Sequence, residues 1–361
     1  MDIVMTIATT VVEQLQKPTL AFLIAGMLLA SLGSKFEVPE PVYKFIVILL
    51  LLKVGMGAGI SVREADLMSL LVPALGAGVV GILIVLIGSR TLVRLRGVSE
   101  LDGLATVGLF GAVSASTLAA GMAVLDDQQL YYEGFIGALY PFMDIAALVT
   151  AIVLAKLAQA RKATAIQSVG GTGGAALAGG PAGGVGGSAP IGGMDKGLLG
   201  GILTDTFRSP AISALVIGLA LGMFSQPDSV YKSFYEPLFR GLLSVLMLIM
   251  GMEAWSRLSE LRKVAHAYVL YALTAPLVHG LLGFGAGLVA HHFTGFSAGG
   301  VVLLSIMAAS SSDISGPPTM RGALPEANSS AYVGASTGLG TPVAILSIPV
   351  WIALAEMVIG F

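Results

Sequence analysis

Apolar runs of about 20 residues recur from one end of this chain to the other, the length an α-helix needs to cross hydrocarbon. The span over 297–320 contains the apolar stretch Val301 to Ala309, which ends abruptly in Ser310-Ser311-Ser312-Asp313-Ile314-Ser315-Gly316-Pro317-Pro318. Polar groups at membrane depth are costly and mark sites. The two prolines predict a helix break, because each lacks a backbone donor and clashes with the preceding turn. Broken helices with free carbonyls, hydroxyls and a carboxylate are how secondary transporters build ion sites. Charged residues make up only 11% of the chain and hydrophobic ones 55%, against roughly 25% charged in soluble domains. The expected class is therefore an all-α membrane protein.

The runs predict ten spans, at about 18–33, 42–60, 70–89, 103–124, 134–157, 209–224, 237–255, 266–290, 297–320 and 331–358. A Gly/Ala-rich segment containing Gly170-Gly171-Thr172-Gly173-Gly174 and Gly179-Gly180-Pro181 reads as a flexible linker. This gives a first five-helix repeat over 1–160, a linker over 161–205 and a second repeat over 206–361. With the N-terminus outside, fourteen of the nineteen Lys and Arg fall on inner segments. The positive-inside bias then places both termini outside and the linker in the cytoplasm. The segment before Lys17 lacks the basic region of a signal peptide.

Short stretches match between the halves in the same order. Gly55-Met56-Gly57-Ala58 matches Gly251-Met252-Glu253-Ala254, Ala112–Ser116 matches Ala309–Asp313, and Gly137–Pro141 matches Gly338–Pro342. Five spans per half make the second half upside down relative to the first, an inverted repeat typical of alternating access. The fourth and ninth spans become crossed, broken helices. Gly111-Ala112-Val113-Ser114-Ala115-Ser116-Thr117 then faces the Ser310–Pro318 cluster.

Half-helix N-termini suit an anion. The expected anion contacts are Gly111, Ala112, Val113, Ser114, Ser116, Ser311, Ser312, Ser315 and Gly316. Carboxylate, hydroxyl and carbonyl oxygens suit a hard cation. For sodium the candidates are Asp313, Asp144, Ser116, Thr117, Ser312 and Thr341. The bland reading of Ser114–Thr117 is close packing by small residues, but packing does not call for Asp313. Lys53, Glu253 and His279 are assigned structural roles. Absence of cysteine excludes disulfides and thiolate metal sites. Near-neutral net charge predicts no nucleic-acid partner, and no organic cofactor is expected. An intramembrane aspartyl protease built on Asp144 and Asp313 is the enzyme alternative. Neither aspartate stands in Gly-x-Gly-Asp, and that reading leaves the repeat unexplained, so no enzyme is expected.

Four stretches together resemble a known family. They are Gly108–Ser114, Leu139–Asp144, Phe239–Ser244 continuing to Gly251–Arg257, and Ser310–Pro318. They resemble the cyanobacterial sodium-dependent bicarbonate symporters over essentially the whole chain except the linker. The resemblance implies high-affinity sodium/bicarbonate symport in the plasma (inner) membrane, serving inorganic carbon concentration. It implies a homotrimer in which a core domain with crossed broken helices moves against a gate domain. It also implies a trimeric PII-like regulator on the cytoplasmic face. The linker departs from the family pattern, being Gly- and Ala-rich where a longer polar loop is expected. Another small anion or carboxylate is the alternative cargo.

Overall fold

A computed structural model describes residues 18–64, 67–170, 210–261 and 266–360, with Thr204 and Arg208. Most of the linker and the N-terminal segment lie outside the described residues. Every regular element among the described residues is helical. In chain order they are α1 (Pro18–Ser31), α2 (Glu40–Glu64), α3 (Leu67–Arg90), α4 (Glu100–Gly111), α5 (Ala115–Asp127), α6 (Tyr140–Gly170) and α7 (Pro210–Phe224). There follow α8 (Glu236–Leu261), α9 (His266–Thr294), α10 (Ala298–Ala309), α11 (Gly316–Ala323), α12 (Ser329–Val333), α13 (Thr341–Leu346) and α14 (Ile348–Val358). Seven described segments are long and apolar enough to cross a membrane. Three of the predicted spans are shorter apolar helices, at Leu20–Ser31, Ile212–Phe224 and Ala298–Ala309. Large apolar side chains such as Leu28, Leu75, Val79, Leu277 and Leu281 are exposed on the outside, as lipid-facing surfaces require.

The apolar window of Glu100–Asp127 is 100% buried, against 39% in Met68–Arg94. The broken α4–α5 pair is thus surrounded by the other helices. Non-helical backbone survives at membrane depth only where protein covers it. Around this centre the helices pair in a crossed pattern. α1 packs on α8, and α2 packs on α7. Both contacts run backbone to backbone: a Cβ added at Gly26, Gly55, Gly218 or Gly251 would collide with a facing carbonyl. Small residues of this kind supply the close packing that holds helices together where no hydrophobic driving force acts between them.

Contacts at the helix ends join the loops into two groups. At one end Arg240 pairs with Asp127 at 2.8 Å, Arg63 donates to Ser225 O, and Ser297 N and Oγ donate to Glu133. At the other end Lys162 pairs with Glu100 at 3.2 Å, Gln159 meets Glu326, and Asn328 N donates to Asp102. Each contact joins segments placed on the same side by the ten-span reading.

Three expectations change. The predicted linker starts too early: α6 continues through 161–170. Ala160-Arg161-Lys162-Ala163 holds no glycine or proline, and such residues extend a helix readily. The Gly-rich stretch from Gly171 to Pro181 lies outside the described residues. Second, Pro317 and Pro318 do not end α10, which stops at Ala309; they stand at the start of α11. Proline fits there because the first turn needs no N–H partner. What ends α10 is Ser310, extended and donating its hydroxyl to Met307 O. Third, the match between the breaks shifts by one residue. α4 and α10 are both twelve residues long, and each is opened by a serine, Ser99 or Ser297, that accepts from the N–H three residues on. Their extended C-caps are Ala112 and Ser310, which pairs Ser114 with Ser312.

Candidate functional site: two broken helices and a carboxylate

The first break is three residues long, Ala112-Val113-Ser114. Ser114 is the N-cap of α5, and its Oγ accepts from Thr117 N at 3.1 Å. The second break runs from Ser310 to Ser315. There Ser312 Oγ caps α11 by accepting from Gly316 N at 2.8 Å. The breaks also hold each other. Ser114 N donates to Ser310 Oγ at 2.9 Å, and Ser312 N donates to Leu109 O at 2.8 Å. Ser114, Ser116, Thr117, Ser310, Ser311, Ser312 and Ser315 are all buried, so this polar seam lies inside the protein.

The last span of the first half ties both breaks together, and that of the second half holds the second break. Asp144 lies one turn into α6, with Oδ1 accepting from Val113 N at 3.1 Å and Oδ2 from Ser315 Oγ at 3.1 Å. The first residue of α6, Tyr140, meets Ser315 Oγ at 3.3 Å. In the second half Thr341, the first residue of α13, donates to Ser311 O at 3.1 Å and meets Ser311 Oγ at 3.0 Å. Both residues follow irregular helices, a tight 3-10 helix at Gly134–Leu139 and a wider π-helical stretch at Gly334–Gly340. π-Helical turns concentrate at functional sites. Here each one turns a hydroxyl toward a break.

Asp313 is the exception in this network. It is half-buried. Its Oδ2 accepts from Ser114 Oγ at 3.0 Å and from Ser116 Oγ, and the Ala115 amide also bears on the carboxylate. Its Oδ1 is shut from solvent and has no hydrogen-bond partner among the described residues. A buried acceptor without a donor costs about 1–3 kcal/mol, more for a charge. A cation ligand is the natural satisfaction for such an oxygen, with the hydroxyls of Ser114, Ser116 and Thr117 close by.

The predicted residues thus converge, with unequal parts. Ser114, Ser116, Thr117 and Asp313 form one oxygen cluster. Asp144, Ser312, Ser315 and Gly316 form a second, and Ser311 with Thr341 a third. Three of the expected anion contacts have their own work. Gly111 is a packing glycine, since a Cβ there would come within 2.8 Å of Ala147 Cβ and 3.0 Å of Gly81 O. Ala112 N donates to Gly108 O, and Val113 N is taken by Asp144. Both oxygens of Asp144 are engaged, which gives it a framing role. Ser310 and Tyr140 were missed as site residues. A signal for both was present: Ser310 opens the polar cluster, and Tyr140 lies in the repeated glycine-to-proline stretch.

Two intramembrane residues outside the seam are also placed. Lys53 is buried with its amine 4.3 Å from the Phe239 ring centroid and 5.8 Å from that of Tyr231, a cation–π setting. His279 meets Tyr271 OH at 3.4 Å through Nε2, while Nδ1 has no partner among the described residues. It is therefore only half satisfied.

Residues 18–356 match the sequence profile of the Na+-dependent bicarbonate transporter superfamily. The chain belongs to that superfamily. The match spans both breaks, Asp144 and Thr341, and it supports a multi-pass membrane transporter of bicarbonate that uses sodium. No curated protein matches the chain.

Proposed function

We propose that this superfamily member imports bicarbonate together with sodium by alternating access, and that Asp313 couples the two. The carrying observation is the Asp313 carboxylate itself. It occupies the N-terminus of α5 through Ser114 and Ser116 while its other oxygen has no partner among the described residues. A helix N-terminus is an anion site, so Asp313 fills the place an incoming bicarbonate would take. Two unit charges about 4 Å apart repel by roughly 4 kcal/mol at an effective dielectric of 20. Sodium held on Oδ1 with the Ser116 and Thr117 hydroxyl oxygens neutralises the carboxylate and releases its hold on Ser114. The Ser114 O–H and the Ala115 amide at the start of α5 are then free for bicarbonate, while Thr117 N stays capped by Ser114 Oγ. Linkage makes the effect reciprocal, so bicarbonate tightens sodium binding by the same factor.

The crossed pairing of α1 with α8 and α2 with α7 supports an inverted repeat of five spans each. Two proline–glycine pairs agree with it: Pro18 precedes Gly26, and Pro210 precedes Gly218, by the same interval. In this reading α1, α2, α7 and α8 form the gate, and the remaining helices form the core that carries the breaks. Both termini face outside across the inner membrane, with the linker in the cytoplasm. High affinity, a homotrimer and a PII-like partner belong to the same proposal, on the strength of the family resemblance. Importing one anion against about 100 mV costs roughly 2.3 kcal/mol, which one sodium cancels. The test is labelled-bicarbonate uptake into proteoliposomes with an imposed sodium gradient, in competition with other small anions. Uptake should need sodium and saturate with both solutes. Uptake indifferent to sodium refutes the coupling, and preferential uptake of a carboxylate reassigns the cargo.

A further inference from the structure

Away from the breaks, a cleft of about 550 Å3 opens where α3 ends, beside the start of α4 and the Leu154–Arg161 stretch of α6. Its rim carries Arg90 of α3, Arg94 of the following 3-10 turn and Arg161 of α6. Among the described residues none of the three has a carboxylate partner. The one acid in the lining, Glu100, is held by Lys162 at 3.2 Å. The floor is apolar, with Leu86, Val93, Val98 and Leu154.

The helix faces below the cleft are equally informative. On α3, Val79, Leu83, Leu86 and Arg90 recur at intervals of four, three and four residues, which places them on one face. On α6, Leu154, Leu157 and Arg161 do the same. Val79, Leu83 and Leu157 are exposed. Each helix therefore presents an apolar strip that ends in an arginine at the end of its span. This arrangement has two parts, a cationic rim and an apolar track leading into the membrane.

We propose that this cleft binds an anionic glycerophospholipid such as phosphatidylglycerol. The guanidinium groups take the phosphate, for which arginine offers paired, planar donors. The acyl chains lie along the α3 and α6 strips. A choline head brings a cation among three arginines and is disfavoured. Basic pockets between helix ends are a recurrent site for anionic head groups. The proposal rests on membership of a membrane family and not on the sodium-coupling mechanism, so either can fail alone.

The experiment is native mass spectrometry on the full chain released from nanodiscs of phosphatidylglycerol and phosphatidylcholine in equal parts. Wild-type protein should retain phosphatidylglycerol preferentially. Arg94→Gln with Arg161→Gln should lower that preference about 30-fold, from about 1 kcal/mol for each charge near a membrane surface. Arg94→Lys with Arg161→Lys should keep part of it. Arg96→Gln, outside the lining, should leave it unchanged and controls for folding. Equal retention of the two lipids, or full preference in the double glutamine variant, overturns the proposal. Loss of bound phosphatidylglycerol to millimolar inorganic phosphate also overturns it, in favour of a soluble phosphate ligand.

Discussion

The two breaks share a plan and differ in their charge. Each follows a twelve-residue helix opened by a serine N-cap, and each uses a serine, Ser114 or Ser312, to cap the helix that follows. The first is short, and its amides at Val113 and Ser114 are both satisfied by side chains from elsewhere in the fold. The second is longer and carries Asp313, one oxygen of which lacks a partner among the described residues. In the proposed mechanism this difference separates two duties: the shared frame holds the backbone open, and the unsatisfied charge responds to an ion. A buried polar network is stable when every member is satisfied, so the unsatisfied member is the one free to change.

The largest expected effect comes from destroying the frame. Asp144→Leu leaves Val113 N–H and Ser315 Oγ without their acceptor, at about 1–3 kcal/mol each. Thermal unfolding in detergent should show a strong loss of stability, with Asp144→Asn falling between it and the wild type. Wild-type stability in the Asp144→Leu protein shows that Asp144 does not frame the breaks. Next, Ser114→Leu places bulk between the two breaks and removes the α5 cap. Labelled-bicarbonate uptake should fall to background, while Ser114→Ala retains part of it. Unchanged uptake in Ser114→Leu moves the cargo away from this seam.

A smaller effect separates ion from frame. Ser116→Ala removes one hydroxyl beside Asp313, and hydrogen bonds to charged groups contribute about 1.5–3 kcal/mol. Half-saturation for sodium should rise about tenfold in uptake assays while thermal stability changes little. The reverse pattern makes Ser116 part of the frame. The smallest effect concerns Arg240 and Asp127, which join α8 to the end of α5 at 2.8 Å. Exposed pairs contribute about 0–1 kcal/mol. Asp127→Asn should alter uptake rates by less than about fivefold without changing the sodium requirement.

Much of this is legible in the amino-acid sequence. Apolar length identified the spans, and the polar cluster at Ser310–Pro318 identified a break, because hydrocarbon tolerates neither short helices nor stray hydroxyls without a reason. The convergence of Gly111–Thr117 with Ser310–Gly316 was expected from the short sequence matches between the two halves. Partners were harder to read. Asp144 carries the same carboxyl group as Asp313, and only the fold shows that Val113 N–H and Ser315 Oγ occupy both of its oxygens. The division between frame and proposed ion site therefore depends on contacts between residues far apart in the chain, such as Ser114 with Asp313. The prolines mislead for a related reason. The same residue that breaks a helix interior opens a helix, and the position of the helix start decides between the two.

In the proposed mechanism the Asp313 charge excludes bicarbonate until sodium arrives. Equilibrium binding of labelled bicarbonate, measured with and without sodium, tests it in wild type and in Asp313→Asn. Wild-type binding should need sodium, whereas Asp313→Asn should bind the anion equally well in its absence and perform no sodium-driven uptake. Binding to Asp313→Asn that still requires sodium at the wild-type affinity would contradict it.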